Sequence, residues 1–106
     1  MSQSKTLSEW IKEKYNKELP IKKQTDGSLE LPHLIYNTGN VKYQNVEIQL
    51  IRYLTEYLNL KIMFVNNSIK NIDEKIIDKV TVSVKSLDDD QGSFLILHFD
   101  ITEFFS

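Results

Sequence analysis

Two histidines and an aspartate are the side chains in this sequence whose types could bind a metal or move protons. His98 and Asp100 are two positions apart in a strand-like segment, so their side chains share one face of a strand. Together with His33 they would supply a two-histidine, one-carboxylate metal site. The spacing does not bring His33 near His98, and Phe94 and Ile96 share the face of His98. We therefore expect a histidine at the edge of a sheet packed by helices, and we predict no metal, cofactor or catalytic residue.

Three consecutive acids, Asp88, Asp89 and Asp90, precede Gln91-Gly92 and could also attract a cation. A calcium-binding loop spaces its oxygen ligands at alternate positions over about a dozen residues and ends in a bidentate glutamate. The run lacks that spacing, whereas Asp and Gly are typical of hairpin turns. The sequence thus predicts a solvated turn whose negative charge suits contact with a basic partner.

The remaining composition offers little for catalysis. The chain has no cysteine, which excludes disulfides, thiolate zinc sites and a cysteine nucleophile. Its three glycines do not form a phosphate-binding loop or the strained turn that presents a nucleophilic serine. The prediction is a protein that is not an enzyme.

Two helices stand out in the hydrophobic pattern. Thr6 and Glu9 match a capping box, in which a hydroxyl and a carboxylate satisfy free backbone amides, and an apolar stripe follows. Pro20 is expected to end this first helix, which we place at residues 7–19. A second, broad apolar face predicts a helix at residues 45–59.

The rest of the chain favours strands. Val80, Val82 and Val84 alternate with polar residues, which is typical of a sheet with one buried and one wet face. A short helix is predicted at residues 71–78, with Asn71 as its cap. The predicted strands are residues 60–65, read as buried and ended by Asn66-Asn67-Ser68, then 79–86, 93–101 and an edge within 29–36.

These elements predict the fold class. We expect one compact domain over residues 1–106, with an α+β, two-layer architecture. A mainly antiparallel β-sheet would have the two main helices packed on one face. A chain of this length buries roughly 65% of the surface that its unfolded form exposes, so it needs no metal to fold.

Composition and charge limit the function classes. The chain has 12 lysines, one arginine and no alanine, a bias that indicates AT-rich coding DNA and favours an accessory protein of a phage, plasmid or other mobile element. The net charge is −2, and residues 51–106 carry a net −3, which argues against a phosphate-binding surface there. We predict a cytoplasmic protein without a signal peptide or membrane span.

The leading hypothesis is a protein-binding accessory factor, that is, an inhibitor, immunity or regulatory protein. Its expected contact residues are Asp88, Asp89, Asp90, Phe104 and Phe105. We expect the aromatic C-terminal tail to fold back over the helices; the alternative is that it docks to a partner or forms a homodimer.

The alternative function is a DNA-binding regulator. The order of helices and the C-terminal hairpin resembles a winged helix. Nucleic acid would then contact a basic stretch formed by Lys12, Lys14, Lys17, Lys22 and Lys23. Steep loss of DNA affinity with salt would support this alternative.

Overall fold

The structure is a computed structural model that describes residues 7–105. Thr6 of the predicted capping box lies outside this range. The elements in chain order are α1 (Leu7–Tyr15), β1 (His33–Leu34), α2 (Tyr43–Tyr57), β2 (Leu60–Ile72), β3 (Lys75–Ser86), β4 (Gly92–Asp100) and a short 3-10 helix (Thr102–Phe104). The four strands form one mixed sheet in the order β1-β4-β3-β2. The predicted α+β class is confirmed.

The sheet is antiparallel except at one edge. β2 pairs with β3 and β3 with β4, both antiparallel, as consecutive hairpins. β1 runs parallel to β4 and is only two residues long. Most of the edge strand predicted within residues 29–36 is therefore loop, and Leu29 and Leu31 are exposed there. Pro32, which lacks an amide donor, immediately precedes the short strand.

The helix predicted at residues 71–78 is wrong. β2 continues to Ile72 and turns directly into β3 through Asp73 and Glu74, whose φ angles are 50° and 65°. A two-residue turn with both φ angles positive matches the right-handed twist of a hairpin. Asn66-Asn67-Ser68, predicted to end a shorter strand, pairs instead with β3 in the middle of β2.

The hydrophobic core confirms the predicted alternation of β3. Val80, Val82 and Val84 are at most 2% exposed. Side chains from α1, α2 and β4 and from two flanking segments join them in one cluster: Ile11, Ile35, Val46, Leu50, Ile51, Leu97, Phe99 and Ile101. Each large side chain buried in this way stabilises the fold by roughly 1.5–3 kcal/mol.

Each helix ends with an asparagine just beyond it in the left-handed region. α1 is shorter than predicted: it ends at Tyr15, and Asn16 follows with a φ of 53°. Asparagine tolerates this conformation and commonly ends helices, so Pro20 is not what stops α1. Trp10 packs against the core and edge-on to Tyr57 of α2, with ring centroids 5.2 Å apart. Trp10 thus anchors α1 on the core.

Candidate functional site

The face of the sheet opposite the buried valines carries large apolar side chains. Ser83 of β3 pairs with Phe64 of β2 on one side and with Phe94 of β4 on the other. Because paired residues of neighbouring strands point to the same face, these side chains form one row across three strands. Ile96 lies in the next row, opposite Thr81. We call Phe64, Phe94 and Ile96 the apolar patch.

The apolar patch is open to solvent. Phe64, Phe94 and Ile96 are 58%, 63% and 51% exposed. Two strand spacings separate the two phenylalanines, so their Cα atoms are about 10 Å apart. That gap is wide enough for a side chain of another molecule to enter between the rings. Clustered exposed aromatic residues are typical of protein interaction sites.

The patch lies beside the predicted acidic turn. Asp88, Asp89 and Asp90 connect β3 to β4 and end two residues before Gly92, at the same end of the hairpin as Phe94. The predicted turn is confirmed. Asp90 pairs with Lys85 (Oδ1 to Nζ 3.0 Å), yet its side chain is 81% exposed.

Hydrogen bonds within the turn and from Asn59 fix the shape of the turn. Asn59 Nδ2 donates to Asp88 Oδ2 at 3.0 Å, and the backbone N–H of Gln91 donates to Asp89 Oδ1 at 3.2 Å. The three carboxylates are therefore held in place at the surface. They add a localised negative charge beside the apolar patch.

The opposite end of the same sheet face is covered by the loop around Gly27. The backbone N–H of His98 donates to the Gly27 carbonyl at 2.7 Å, and His98 Nδ1 lies 3.0 Å from the same oxygen. A small pocket of about 150 Å³ lies between Leu29, Ile77 and His98. Ile77 is only 3% exposed although it points to this face. The loop closes this end and leaves the apolar patch open.

Gly27 is needed where this loop crosses β4. Its φ is +82°, and a Cβ atom there would lie 3.0 Å from His33 Nε2 and 3.1 Å from Leu97 Cδ2. We expect Gly27→Ala to lower the free energy of unfolding by about 2–4 kcal/mol, combining a left-handed backbone penalty with overpacking. Urea denaturation measures the loss. Gly39→Ala is the control, since Gly39 has a φ of +89° with no atom near its Cβ position. Equal losses in the two variants would contradict the packing argument.

The structure does not bring His33, His98 and Asp100 together. His33 is in register with Phe99, the chain neighbour of His98, so the two histidines lie on opposite faces of the sheet. Asp100 Oδ1 accepts hydrogen bonds from the backbone and hydroxyl of Thr102. Within residues 7–105, no group of three histidine, aspartate or glutamate side chains is placed to hold a metal ion.

The lysines proposed for nucleic acid are spread over α1 and the loop that follows it. Lys14 Nζ lies 2.6 Å from Glu56 Oε1 on α2, and this hydrogen bond raises the pKa of Lys14. Lys12 Nζ lies 3.9 Å from Glu18 Oε1. Residues 16–42, including β1, separate α1 from α2, so these two helices are not joined by the short turn of a helix-turn-helix.

A buried acid pair is the feature that the sequence analysis missed. Glu47 of α2 is 6% exposed and Asp78 of β3 is fully buried. Asn67 Nδ2 donates to Asp78 Oδ1 at 3.1 Å, while Glu47 Oε2 and Asp78 Oδ2 have no hydrogen-bond partner among the described residues. Burial raises the pKa of Glu47 to about 9, and the neighbouring Asp78 adds to the rise because protonated Glu47 can donate a hydrogen bond to it and ionised Glu47 is repelled by its negative charge. Asp78 falls on the same face of β3 as Val80, Val82 and Val84. This alternation was the sequence feature that could have predicted a buried aspartate.

The aromatic tail packs against the start of α2. The ring centroids of Phe104 and Phe105 lie 5.5 Å and 6.0 Å from that of Tyr43. Phe104 packs on the core, whereas Phe105 stays 55% exposed. Of the two predicted contact residues in the tail, Phe105 exposes the larger share of its surface to solvent.

Within the described range, neither helix could cross a membrane, because α1 has 9 residues, α2 has 15 and neither is sufficiently apolar. The exposed features described above are the apolar patch and the acidic turn beside it. No protein-family model, curated protein or solved structure matches this chain.

Proposed function

We propose that this chain is a small non-enzymatic accessory protein that acts by binding another protein, as an inhibitor, immunity or regulatory factor of a mobile element. The observation that carries the proposal is the apolar patch of Phe64, Phe94 and Ile96, which stays exposed on a sheet whose other face packs against the core. The residue composition supports the mobile-element origin.

The chemistry of the surface favours a particular kind of partner. Burying an aromatic side chain contributes roughly 1.5–3 kcal/mol, so two phenylalanines and an isoleucine can form the centre of an interface. Asp88, Asp89 and Asp90 add negative charge at its rim. The fitting partner has an apolar surface bordered by basic side chains.

The same arrangement disfavours nucleic acid at this face. Aromatic residues on a sheet can stack with bases, but such sites combine them with a positively charged groove. Here the acidic turn borders the aromatic rings, and Lys85 is already paired with Asp90. The acidic turn repels phosphates at its end of the rings, and the nearest lysine of the same face that lies beyond Ile96 is Lys79, opposite His98.

Affinity capture from the native host, with and without nuclease, tests the proposal. The double variant Phe94→Ser, Ile96→Ser removes two members of the patch on β4. Ile48→Ser is the matched control, because Ile48 is a 47% exposed apolar residue on α2. We expect a stoichiometric protein partner with the wild type and with Ile48→Ser, and at least tenfold less of it with the double variant.

Circular dichroism of both variants confirms that they are folded before capture. A partner retained equally by the double variant would contradict the assignment of the patch. Recovery that disappears with nuclease in the wild type would contradict protein binding. That result would favour the DNA-binding alternative through the lysines of residues 12–23.

A further inference from the structure

β2 is a long strand at the edge of the sheet. It has 13 residues and, within residues 7–105, pairs with β3 on one side and with no strand on the other. An open edge presents a row of backbone N–H and C=O groups to any strand that can approach. Backbone pairing along such an edge is a common way to join two chains.

The side chains along this edge are unusually apolar for a solvated strand. Val65 and Ile69 are registered with Val82 and Asp78, which face the core, yet they are 46% and 48% exposed. Phe64 is exposed on the opposite face. The part of β2 between residues 64 and 70 therefore offers apolar surface on both faces beside its free backbone groups.

We propose that β2 pairs antiparallel with β2 of a second copy of this chain, about a two-fold axis at Asn67, to form a continuous eight-stranded sheet. Residues equally distant from position 67 then lie opposite each other. Val65 of one copy faces Ile69 of the other, two residues on either side of the axis. Phe64 faces Lys70, three residues on either side.

Symmetry and side-chain chemistry select this register. Opposed residues of antiparallel strands point to the same face, so the two-fold axis must lie at a residue and not between two residues. Moving the axis by one residue changes the partner of every residue by two positions. Moving the axis to Asn66 places Val65 against Asn67, and moving it to Ser68 places Val65 against Asn71. The axis at Asn67 is the one of these three that joins apolar Val65 to apolar Ile69.

Charge is compatible with the same register. Lys61 and Lys70 are the charged residues of β2, and lysines on an edge strand normally discourage pairing. Here Lys70 lies opposite the ring of Phe64, where an ammonium group is attracted to the aromatic face. Lys61 lies beyond the paired residues, on the other side of a bulge in β2. A β-bulge between Ile62 and Phe64 bends the strand before residue 64, so the central pairing spans residues 64–70.

Cysteine cross-linking tests both the dimer and its register, because the chain has no cysteine of its own. Directly opposed residues have Cα atoms about 4.5–5.5 Å apart, within the range that a disulfide spans. Val65→Cys and Ile69→Cys proteins are mixed and oxidised, and disulfide-linked dimers are followed by non-reducing electrophoresis. The control mixes Val65→Cys with Asn71→Cys, whose Cα atoms would be about 8 Å apart in the proposed register.

We expect the Val65→Cys and Ile69→Cys mixture to cross-link at least tenfold faster than the control. We also expect the wild type to sediment as a dimer at about 100 µM. A monomer at this concentration would overturn the proposal. Equal rates in the two mixtures would overturn it as well. A dimer that forms no β2 cross-links and is broken by Phe105→Ser would also overturn it, because it would form through the C-terminal tail.

This inference shares Phe64 with the protein-binding proposal but can be tested separately from it. The patch variant Phe94→Ser, Ile96→Ser changes β4 and leaves the edge of β2 intact. We expect that variant to remain dimeric while losing its partner. A variant that lost both properties would show that the two surfaces are not separate.

Discussion

Replacing Glu47 with glutamine is expected to stabilise the protein at pH 8 and to remove most of the stability loss caused by Glu47 as the pH rises from 5 to 8. Glu47 and Asp78 lie together in the core, and burial is the main reason that the pKa of Glu47 rises from 4.5 to about 9. The folded protein therefore keeps a proton on Glu47 at neutral pH. Glutamine has the shape of the protonated acid and cannot lose a proton.

Proton binding by Glu47 in the folded and unfolded states sets the direction in which stability changes with pH. The pKa of Glu47 is higher in the folded state than in the unfolded chain, so the folded state binds more protons above pH 4.5. This contribution to stability is fully present below pH 4.5 and is lost as the pH rises towards about 9. Each pH unit in between corresponds to about 1.4 kcal/mol, which gives a loss of up to about 4 kcal/mol between pH 5 and 8. Domains of this size have roughly 5–15 kcal/mol of stability in total.

Urea denaturation at several pH values, followed by the fluorescence of Trp10, measures the effect. His33 titrates in the same range with the opposite sign, because burial lowers its pKa. The difference in unfolding free energy between Glu47→Gln and wild type is therefore the relevant quantity.

Glu56→Gln is the matched control on the same helix. The hydrogen bonds from Lys14 and Tyr15 lower the pKa of Glu56, so it is ionised in both states above pH 5. We expect this variant to follow the pH dependence of the wild type. A constant difference between Glu47→Gln and wild type from pH 5 to 8 would contradict the raised pKa.

The parts of the fold that the sequence predicts well are those where one periodicity dominates. α2 has apolar residues on one broad face over four turns, and its predicted bounds were two residues late at each end. Val80, Val82 and Val84 identify the buried face of β3 without ambiguity. In both elements polar residues occupy the remaining positions. They exclude a strand pattern in α2 and a helical pattern in β3.

The β2–β3 hairpin shows why local patterns can mislead. Asp73 and Glu74 adopt positive φ angles that usually require Gly or Asn, so the sequence lacks the common hairpin signature. An acidic pair after Asn71 is instead typical of a helix N-terminus. Twelve residues of β2 pair with β3, and this pairing outweighs the local preference.

The candidate site could not be located from sequence for a related reason. Residues 94–99 of β4 are nearly all apolar, so both alternating sets could be buried. The register with β3 decides which set is buried. Leu97 is paired with Val80 and Leu95 with Val82, so both leucines point to the core side. Phe94 and Ile96 are thereby left on the outer face, where the sequence analysis expected helices to cover them.

The assignment of the two faces of β4 predicts opposite behaviour for two phenylalanines on one strand. Phe99 is fully buried and packs beside the His33 ring at 5.7 Å, whereas Phe94 is mostly exposed. We expect Phe99→Ala to lower the free energy of unfolding by about 3–5 kcal/mol, because it removes a buried ring and leaves a cavity. Phe94→Ala should cost less than about 1 kcal/mol. Urea denaturation of both variants measures the contrast.

The two variants control for each other, since each makes the same chemical change on the same strand. Similar losses, or a larger loss for Phe94→Ala, would mean that the faces of β4 are assigned the wrong way round, and the apolar patch would no longer stand. The expected contrast has a functional consequence. A phenylalanine that contributes little to folding still exposes apolar surface to water, which favours association. The proposed binding of a partner would give Phe94 a role that its small contribution to stability does not.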